Sequence, residues 1–286
     1  MPPFPPHTAF ILGAGLGTRL RPLTDHCPKP MLPIAGRPMI TYAMDHLIQH
    51  GVTRFIINTH HAPEAYSKGF PHHSWKNHPI TFVHEPILLD TAGGLKNIEP
   101  HLTPTDENIW LYNGDILTSL PLQPLLDAHL CDPTRHITLA LRTQEHPRNV
   151  RFDPTTSRIL DLRHRLGVSH GLTTLYAGIA LVRRSFFSFL IPGRIESLVE
   201  VFLRMIQAKI PVHGHLINEG HWTDLGTLQD YQHTLSHPPN LNPKQPTAAS
   251  TDASAAVQLS TDKTATDNEK PVQPPPFSST PPPHQN

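Results

Sequence analysis

The chain has 286 residues, 33 of them proline, 22 histidine and two cysteine, and its 23 basic side chains balance 23 acidic ones. Zero net charge excludes a general nucleic-acid binder, which carries a basic excess to meet phosphates. No run reaches the roughly 18 apolar residues of a membrane span, and MPPFPPHTAFILGAG lacks the basic and apolar regions of a leader peptide, so a cytoplasmic protein without a membrane partner is expected.

Residues 1–7, with four prolines among the first six, read as a disordered extension. Thr8–Leu12 is a short apolar run ending in glycines, as a buried strand does on entering a tight loop. A proline-punctuated stretch to Pro38 follows, and then Met39, Ile40, Ala43, Met44, Leu47 and Ile48 recur at helical spacing until Gly51. Val52–Asn58, Ile80–His84 and Asn108–Asn113 read as further strands, with helical stretches near Glu64–Lys68 and Gly93–Ile98 between them. Such alternation predicts a mainly parallel sheet covered on both faces, with ligands at the carboxyl ends of its strands.

The later half is more mixed. His136–Leu141, Arg158–Leu162 and Leu172–Val182 read as strands, the last two as an antiparallel pair. Ile195–Ala208 is an amphipathic helix, Pro211–Ile217 a strand and Thr227–Leu235 a closing helix. Beyond His237 the large apolar residues reduce to Leu241, Val257, Leu259, Val272 and Phe277 while eleven prolines accumulate, so residues 237–286 read as a disordered tail. That leaves 8–236 as one α/β domain. Cys27 and Cys131 form no CxxC pair and are expected to be buried, reduced thiols. The adjacent pairs His60-His61 and His72-His73 lack metal-ligand spacing and read as surface residues.

The first strand empties into Gly13-Ala14-Gly15-Leu16-Gly17-Thr18-Arg19-Leu20-Arg21-Pro22-Leu23-Thr24. Glycines let backbone N–H groups approach a polyphosphate, and Arg19, Arg21 and the proline-bracketed Lys29 supply cations nearby. The loop is neither a Walker A motif nor the dinucleotide fingerprint G-x-G-x-x-G, and the prolines after it argue against a nicotinamide dehydrogenase. The whole string GAGLGTRLRPLTDHCPKPMLPIAGRPMI is far more specific, and it closely resembles the N-terminal signature of the sugar-1-phosphate nucleotidyltransferases. LYNGDIL, TAGGL, TTLYAGIALV and GHWTDLGTLQDY extend the resemblance over about residues 8–236. Within that family the chain is most similar to N-acetylmuramate α-1-phosphate uridylyltransferases and small mannose-1-phosphate guanylyltransferase-like enzymes.

The resemblance implies a Rossmann-like, three-layer α/β/α fold with a mixed, mainly parallel sheet, and an enzyme of nucleotide-sugar biosynthesis. Its substrates are an NTP, with UTP favoured, and a sugar 1-phosphate; its cofactor is Mg²⁺. It further implies that Arg19 and Lys29 are catalytic cations, with Arg21 a third candidate, and that Asp115 and Asp224 hold the metal. Leu12, Gly13, Ala14, Gly15, Gly17, Thr18, Asp90, Gly93, Gly94 and Asn113 would meet the nucleotide, and Tyr176, Gly178 and Arg163 the sugar. Two positions depart from the family pattern: Gly13 replaces the usual alanine, and Asp90 stands where many relatives have glycine or glutamate. The Glu-Lys-Pro motif that grips the sugar phosphate in larger relatives is missing from Ile159–Arg165, where Arg163 or Arg165 could substitute. A non-catalytic relative that binds a nucleotide sugar is the rival class; retention of Arg19, Lys29, Asp115 and Asp224 together speaks against it.

Overall fold

The computed structural model describes residues 5–239 and 241. Of the expected N-terminal extension only Pro5–His7 fall among these, and nearly all of the expected tail lies outside the described residues.

In chain order the elements are β1 (Thr8–Leu12), β2 (Pro33–Ile34), β3 (Arg37–Pro38), α1 (Ile40–Ile48), β4 (Arg54–Thr59), α2 (Glu64–Gly69), β5 (Ser74–Trp75), β6 (His78–His84) and α3 (Asp90–Asn97). Then follow β7 (Asn108–Asn113), β8 (Ile116–Thr118), α4 (Gln123–Leu130), β9 (Ile137–Arg142), β10 (Val150–Asp153), β11 (Arg158–Leu162) and β12 (Leu172–Arg183). α5 (Leu198–Gln207), β13 (His213–Leu216), β14 (Trp222–Asp224) and α6 (Leu228–Ser236) complete the domain.

Ten strands form one mixed sheet in the order β10-β11-β13-β9-β12-β7-β1-β4-β6-β5. Its parallel block is β7-β1-β4-β6, with Phe10 paired to Leu111 on one side and Ile56 on the other. β12 runs antiparallel to both β7 and β9, and β13 returns parallel to β9. Alternation along β1 sends Phe10 into an apolar layer with α3 and α5, and Ala9 and Ile11 into the layer with α1, α2 and α4. The result is the three-layer α/β/α arrangement. A smaller cluster of Leu20, Leu32, Ile34, Met39, Leu117, Leu225 and Tyr231 packs beneath the proline-rich loop and α6.

Helix ends follow local chemistry. Ser197 caps α5 by accepting from the Glu200 N–H, and Leu198, Val201, Phe202 and Met205 make its buried stripe. Thr227 and Asp230 close a reciprocal capping box on α6.

Three sequence expectations change. β10, which neighbours β11 at the start of the sheet order, also pairs antiparallel with the first residues of β12, so β11 and β12 are not the expected antiparallel neighbours. With only four residues between an irregular loop and a turn, it offers too little alternation to read. α3 starts at Asp90 rather than Gly93, because packing against the segment before α5 overrides the low helix propensity of its glycines. The thiols are not both buried: Cys131 is exposed at the end of α4 and Cys27 half-buried.

Candidate active site

The carboxyl ends of β1, β4 and β7 open into a cleft of about 570 Å³, as the strand order requires for a parallel block. Leu12, Ala14, Gly15, Gly17, Thr18, Arg19, Lys29, Asp90, Asn113 and Asp115 line it. Gly17 holds a left-handed conformation, φ 62°, whose carbonyl accepts from Leu20 N–H and Thr24 Oγ1. This turn starts the short 3₁₀ segment Thr18–Leu20 and presents Arg19, while Leu20 anchors it in the core. Lys29 starts a second 3₁₀ turn between Pro28 and Pro30.

Lys29 is buried along its stem and ends between two carboxylates, its Nζ 2.7 Å from Asp115 Oδ2 and 3.5 Å from Asp224 Oδ1. Asp115 and Asp224 are brought together by a two-stranded ribbon in which β14 pairs antiparallel with β8, Asp224 opposite Ile116. The Leu225 N–H donates to the Asp115 carbonyl, and Trp222 Nε1 ties the ribbon to β12 by donating to the Ala177 carbonyl at 2.8 Å. Gly226 lets Arg19 lie alongside: a Cβ there would stand 3.2 Å from an Arg19 guanidinium nitrogen and 3.5 Å from Asp224 Oδ2. Burial and then the charge of Asp115 push the Asp224 carboxyl up, against the pull of Lys29 and Arg19. Arg19, Lys29 and Asp115 thus meet in the cleft lining, and Asp224 stands just outside that lining against Lys29.

The other positions distribute more widely. Gly13 is buried behind the cleft, and Gly93 and Gly94 face the packing beneath α3: a Cβ at Gly93 would meet the Arg194 carbonyl at 2.3 Å. Gly178, φ 76°, stands against Asn113, whose Nδ2 a Cβ would approach to 2.8 Å, so it shapes the site from behind. Tyr176 packs with the α3/α5 layer and outside the cleft lining; burial pushes its hydroxyl up and leaves it without a partner among the described residues. Arg163 sits on an exposed turn at the end of β11, its N–H donating to the Asn149 carbonyl, and Arg165 pairs with Glu200 at 3.0 Å. Arg21 is exposed and pairs with Asp25. His60 and His61 are half-buried hydrogen-bonding partners of the Glu85 and Thr24 carbonyls, while His72 and His73 are exposed.

Asn58, Thr91, Leu88 and Ile195 also line the cleft without having been read from the sequence. Asn58 was recoverable, since it closes a predicted parallel strand at the ligand-binding edge. Ile195 was not, because it arrives from the segment before α5 only once Glu196 pairs its backbone with Leu89 and Ala92.

A family model described as Nucleotidyl transferase matches residues 8–153. The N-acetylmuramate alpha-1-phosphate uridylyltransferase of Neisseria meningitidis is 31% identical over 222 residues, 77% of this chain and 93% of that protein. The chain belongs to the nucleotidyl transferase family. The mannose-1-phosphate guanylyltransferase of Mycobacterium tuberculosis is 30% identical over 227 residues, covering 78% of this chain but 62% of its own length. Among solved structures, the inositol-1-phosphate CTP transferase from T. maritima superposes with a TM-score of 0.66 at 21% identity, covering 79% of this chain and 92% of that one. HddC from Yersinia pseudotuberculosis complexed with GMP-PN gives 0.64 at 20% identity, covering 80% and 98%. These two likenesses establish the nucleotidyltransferase fold. Among the described residues no helix is long and apolar enough to cross a membrane.

Proposed function

We propose that the chain transfers a nucleoside monophosphate from an NTP to a sugar 1-phosphate, forming an NDP-sugar and releasing pyrophosphate. The observation that carries this reading is the convergence of Lys29, Arg19 and Asp115 in a glycine-lined cleft, with Asp224 against Lys29 at its edge. A sugar-phosphate oxygen forms a bond to the α-phosphorus as the bond to the bridging β-phosphate oxygen breaks, and the electron pair leaves with pyrophosphate. A phosphate monoester with a second pKa near 6 is already largely dianionic at about pH 7, so the attack needs no general base. What it needs is charge neutralisation and alignment of anionic reactants.

Lys29, held in place by its buried stem, meets the α-phosphate and the incoming phosphate. Arg19, at the mouth of the glycine turn, meets the departing pyrophosphate. Asp115 and Asp224 fit Mg²⁺ in donor chemistry, since two hard carboxylate oxygens already converge on one cationic group and leave further positions for phosphate and water. When bound there, Mg²⁺ would polarise the phosphoryl oxygens and neutralise their charge.

UTP with N-acetylmuramate 1-phosphate is the favoured pair, because the relative of that name is matched over 93% of its length. GTP with mannose or heptose 1-phosphate is the second reading, supported by the 30% identity to the guanylyltransferase. Pyrophosphate release measured with each NTP against a panel of sugar phosphates and Mg²⁺ tests both. Release with one pair identifies the substrate; no release from any pair overturns the enzyme reading in favour of a non-catalytic nucleotide-sugar binder.

A further inference from the structure

Behind the cleft runs a buried polar bridge that includes none of the four charged residues above. The Gly13 N–H donates to Asn58 Oδ1 at 2.8 Å. Asn58 Nδ2 donates to Glu85 Oε1 at 2.8 Å, and the Leu89 N–H donates to Glu85 Oε2 at 3.0 Å. From the other side, the Tyr66 hydroxyl donates to the Gly13 carbonyl at 2.8 Å. Glu85 is 0% and Asn58 3% exposed. Gly94 is where the helix makes room for them: a Cβ there would lie 2.8 Å from Asn58 Nδ2 and 2.9 Å from Glu85 Oε1.

The chemistry of the bridge has a direction. A peptide N–H needs an acceptor, so Asn58 must turn its oxygen toward Gly13 and its NH₂ away. Both Glu85 oxygens accept, one from that NH₂ and the other from the Leu89 N–H. Through Asn58 and directly, the same carboxylate therefore ties down the loop after β1 and the residue preceding Asp90, and Ala14, Gly15 and Asp90 all line the cleft.

We infer that Asn58 and Glu85 are positioning residues for nucleotide binding: Glu85 fixes the Asn58 amide, and Asn58 fixes the Gly13 peptide and with it Ala14 and Gly15. The inference rests on the proposed function in taking the cleft to hold an NTP. Glu85 acts through this chain of hydrogen bonds and not through its charge at that location.

A polarity swap tests it. In Glu85→Gln the new amide cannot accept from both Asn58 Nδ2 and the Leu89 N–H, so one donor is left facing a donor. In Asn58→Asp the second carboxylate oxygen faces Glu85 Oε1. In the double variant Asn58→Asp with Glu85→Gln, the introduced glutamine donates to the introduced aspartate and accepts from the Leu89 N–H, while the aspartate accepts from the Gly13 N–H. Every bond is then restored at unchanged total charge.

Each single variant is expected to raise the KM for the NTP by about tenfold, because the Gly13 peptide is no longer held in place before the nucleotide arrives, with kcat and the sugar-phosphate KM changed by less than about threefold. Hydrogen exchange of peptides containing Gly13 and Leu89, measured without substrate, should be faster in both singles. The double variant should return both readouts to the wild-type range. Singles with wild-type KM and wild-type exchange overturn the inference, as does a folded double variant no better than the singles. Should a single variant fail to fold, the double decides alone. A wild-type enzyme that releases no pyrophosphate removes the nucleotide reading, whereas unchanged exchange in the singles removes the bridge, so the two failures are distinct.

Discussion

The parallel block made by residues 8–113 and the mixed region made by 114–236 contribute to one site by different means. In the first, β1, β4 and β7 all end at the same sheet edge, so the loops after them meet at the cleft by topology alone. Its cations are also close in sequence, with Arg19 and Lys29 on one proline-stiffened loop. In the second, Asp115 and Asp224 become neighbours only through the β8–β14 ribbon. The cationic half is thus built from local structure, and the carboxylate half from a long-range pairing.

Removing one carboxylate breaks the second half most sharply. Asp115→Asn is expected to lower kcat for pyrophosphate release by at least about 10²-fold, as loss of one of the two carboxylates proposed to hold Mg²⁺ does. Circular dichroism should show the fold unchanged, because Asp115 lies at the cleft surface beside Lys29. Activity within about twofold of wild type would remove Asp115 from the site.

Gly13→Ala probes the first half. Its Cβ would stand 2.6 Å from both the Asn58 carbonyl and the Tyr66 hydroxyl, so overpacking should cost about 1–3 kcal/mol and lower the melting temperature by several degrees. Adding Tyr66→Phe removes one of three obstacles, the others being the Asn58 carbonyl and Ile57 Cγ2 at 2.9 Å, and should recover part of that loss. A double variant no more stable than Gly13→Ala would show that the Asn58 carbonyl and the Ile57 side chain set the limit.

Acid should weaken both regions through buried histidines. His46 bridges Tyr112 and the Leu120 carbonyl in the layer under the first region, and burial lowers it to about 4. His129 joins Thr138 and Asn108 beside the second, and burial together with Arg183 and Arg135 lowers it to about 3. Both folded values lie below the ordinary 6.5, so the stability due to the neutral rings is complete above about pH 6.5 and is lost as pH falls toward 4 and 3. The melting temperature should therefore decline steadily from about pH 7 to about pH 4. A flat profile over that range would exclude the two rings as its source.

The smallest effect is expected at Arg163. As an exposed turn residue outside the cleft lining, Arg163→Ala should change stability by less than about 0.5 kcal/mol. A fall in sugar-phosphate affinity would bring it into the site after all.

Much of the first region was legible because local rules decide it. The apolar run Thr8–Leu12, the glycines after it and the helical spacing from Met39 to Ile48 each depend on neighbouring residues, and β1 and α1 fall where those patterns lie. In the second region β10 was invisible, and so was α4, whose ends carry no clear cap and whose buried face reduces to Leu125, Leu126 and His129. The TAGGL glycines show the limit of a motif: its spacing is plain, but whether Gly93 and Gly94 face a ligand or a neighbouring backbone depends on the segment before α5 and on the Asn58–Glu85 bond.

The amino-acid sequence by itself determined the family and the α/β layering, because the glycine-and-cation string and the alternation of strands and helices sit at short, readable spacing. Only the tertiary structure decided which residues meet. It placed the Lys29 ammonium between Asp115 and Asp224, and put Asn58 and Glu85 behind the glycine loop. It also left Tyr176 with the core and Arg163 on an exposed turn. The physical reason is that burial and hydrogen-bond partnership are set by strand pairing between distant segments, and a one-dimensional pattern carries no register for that pairing.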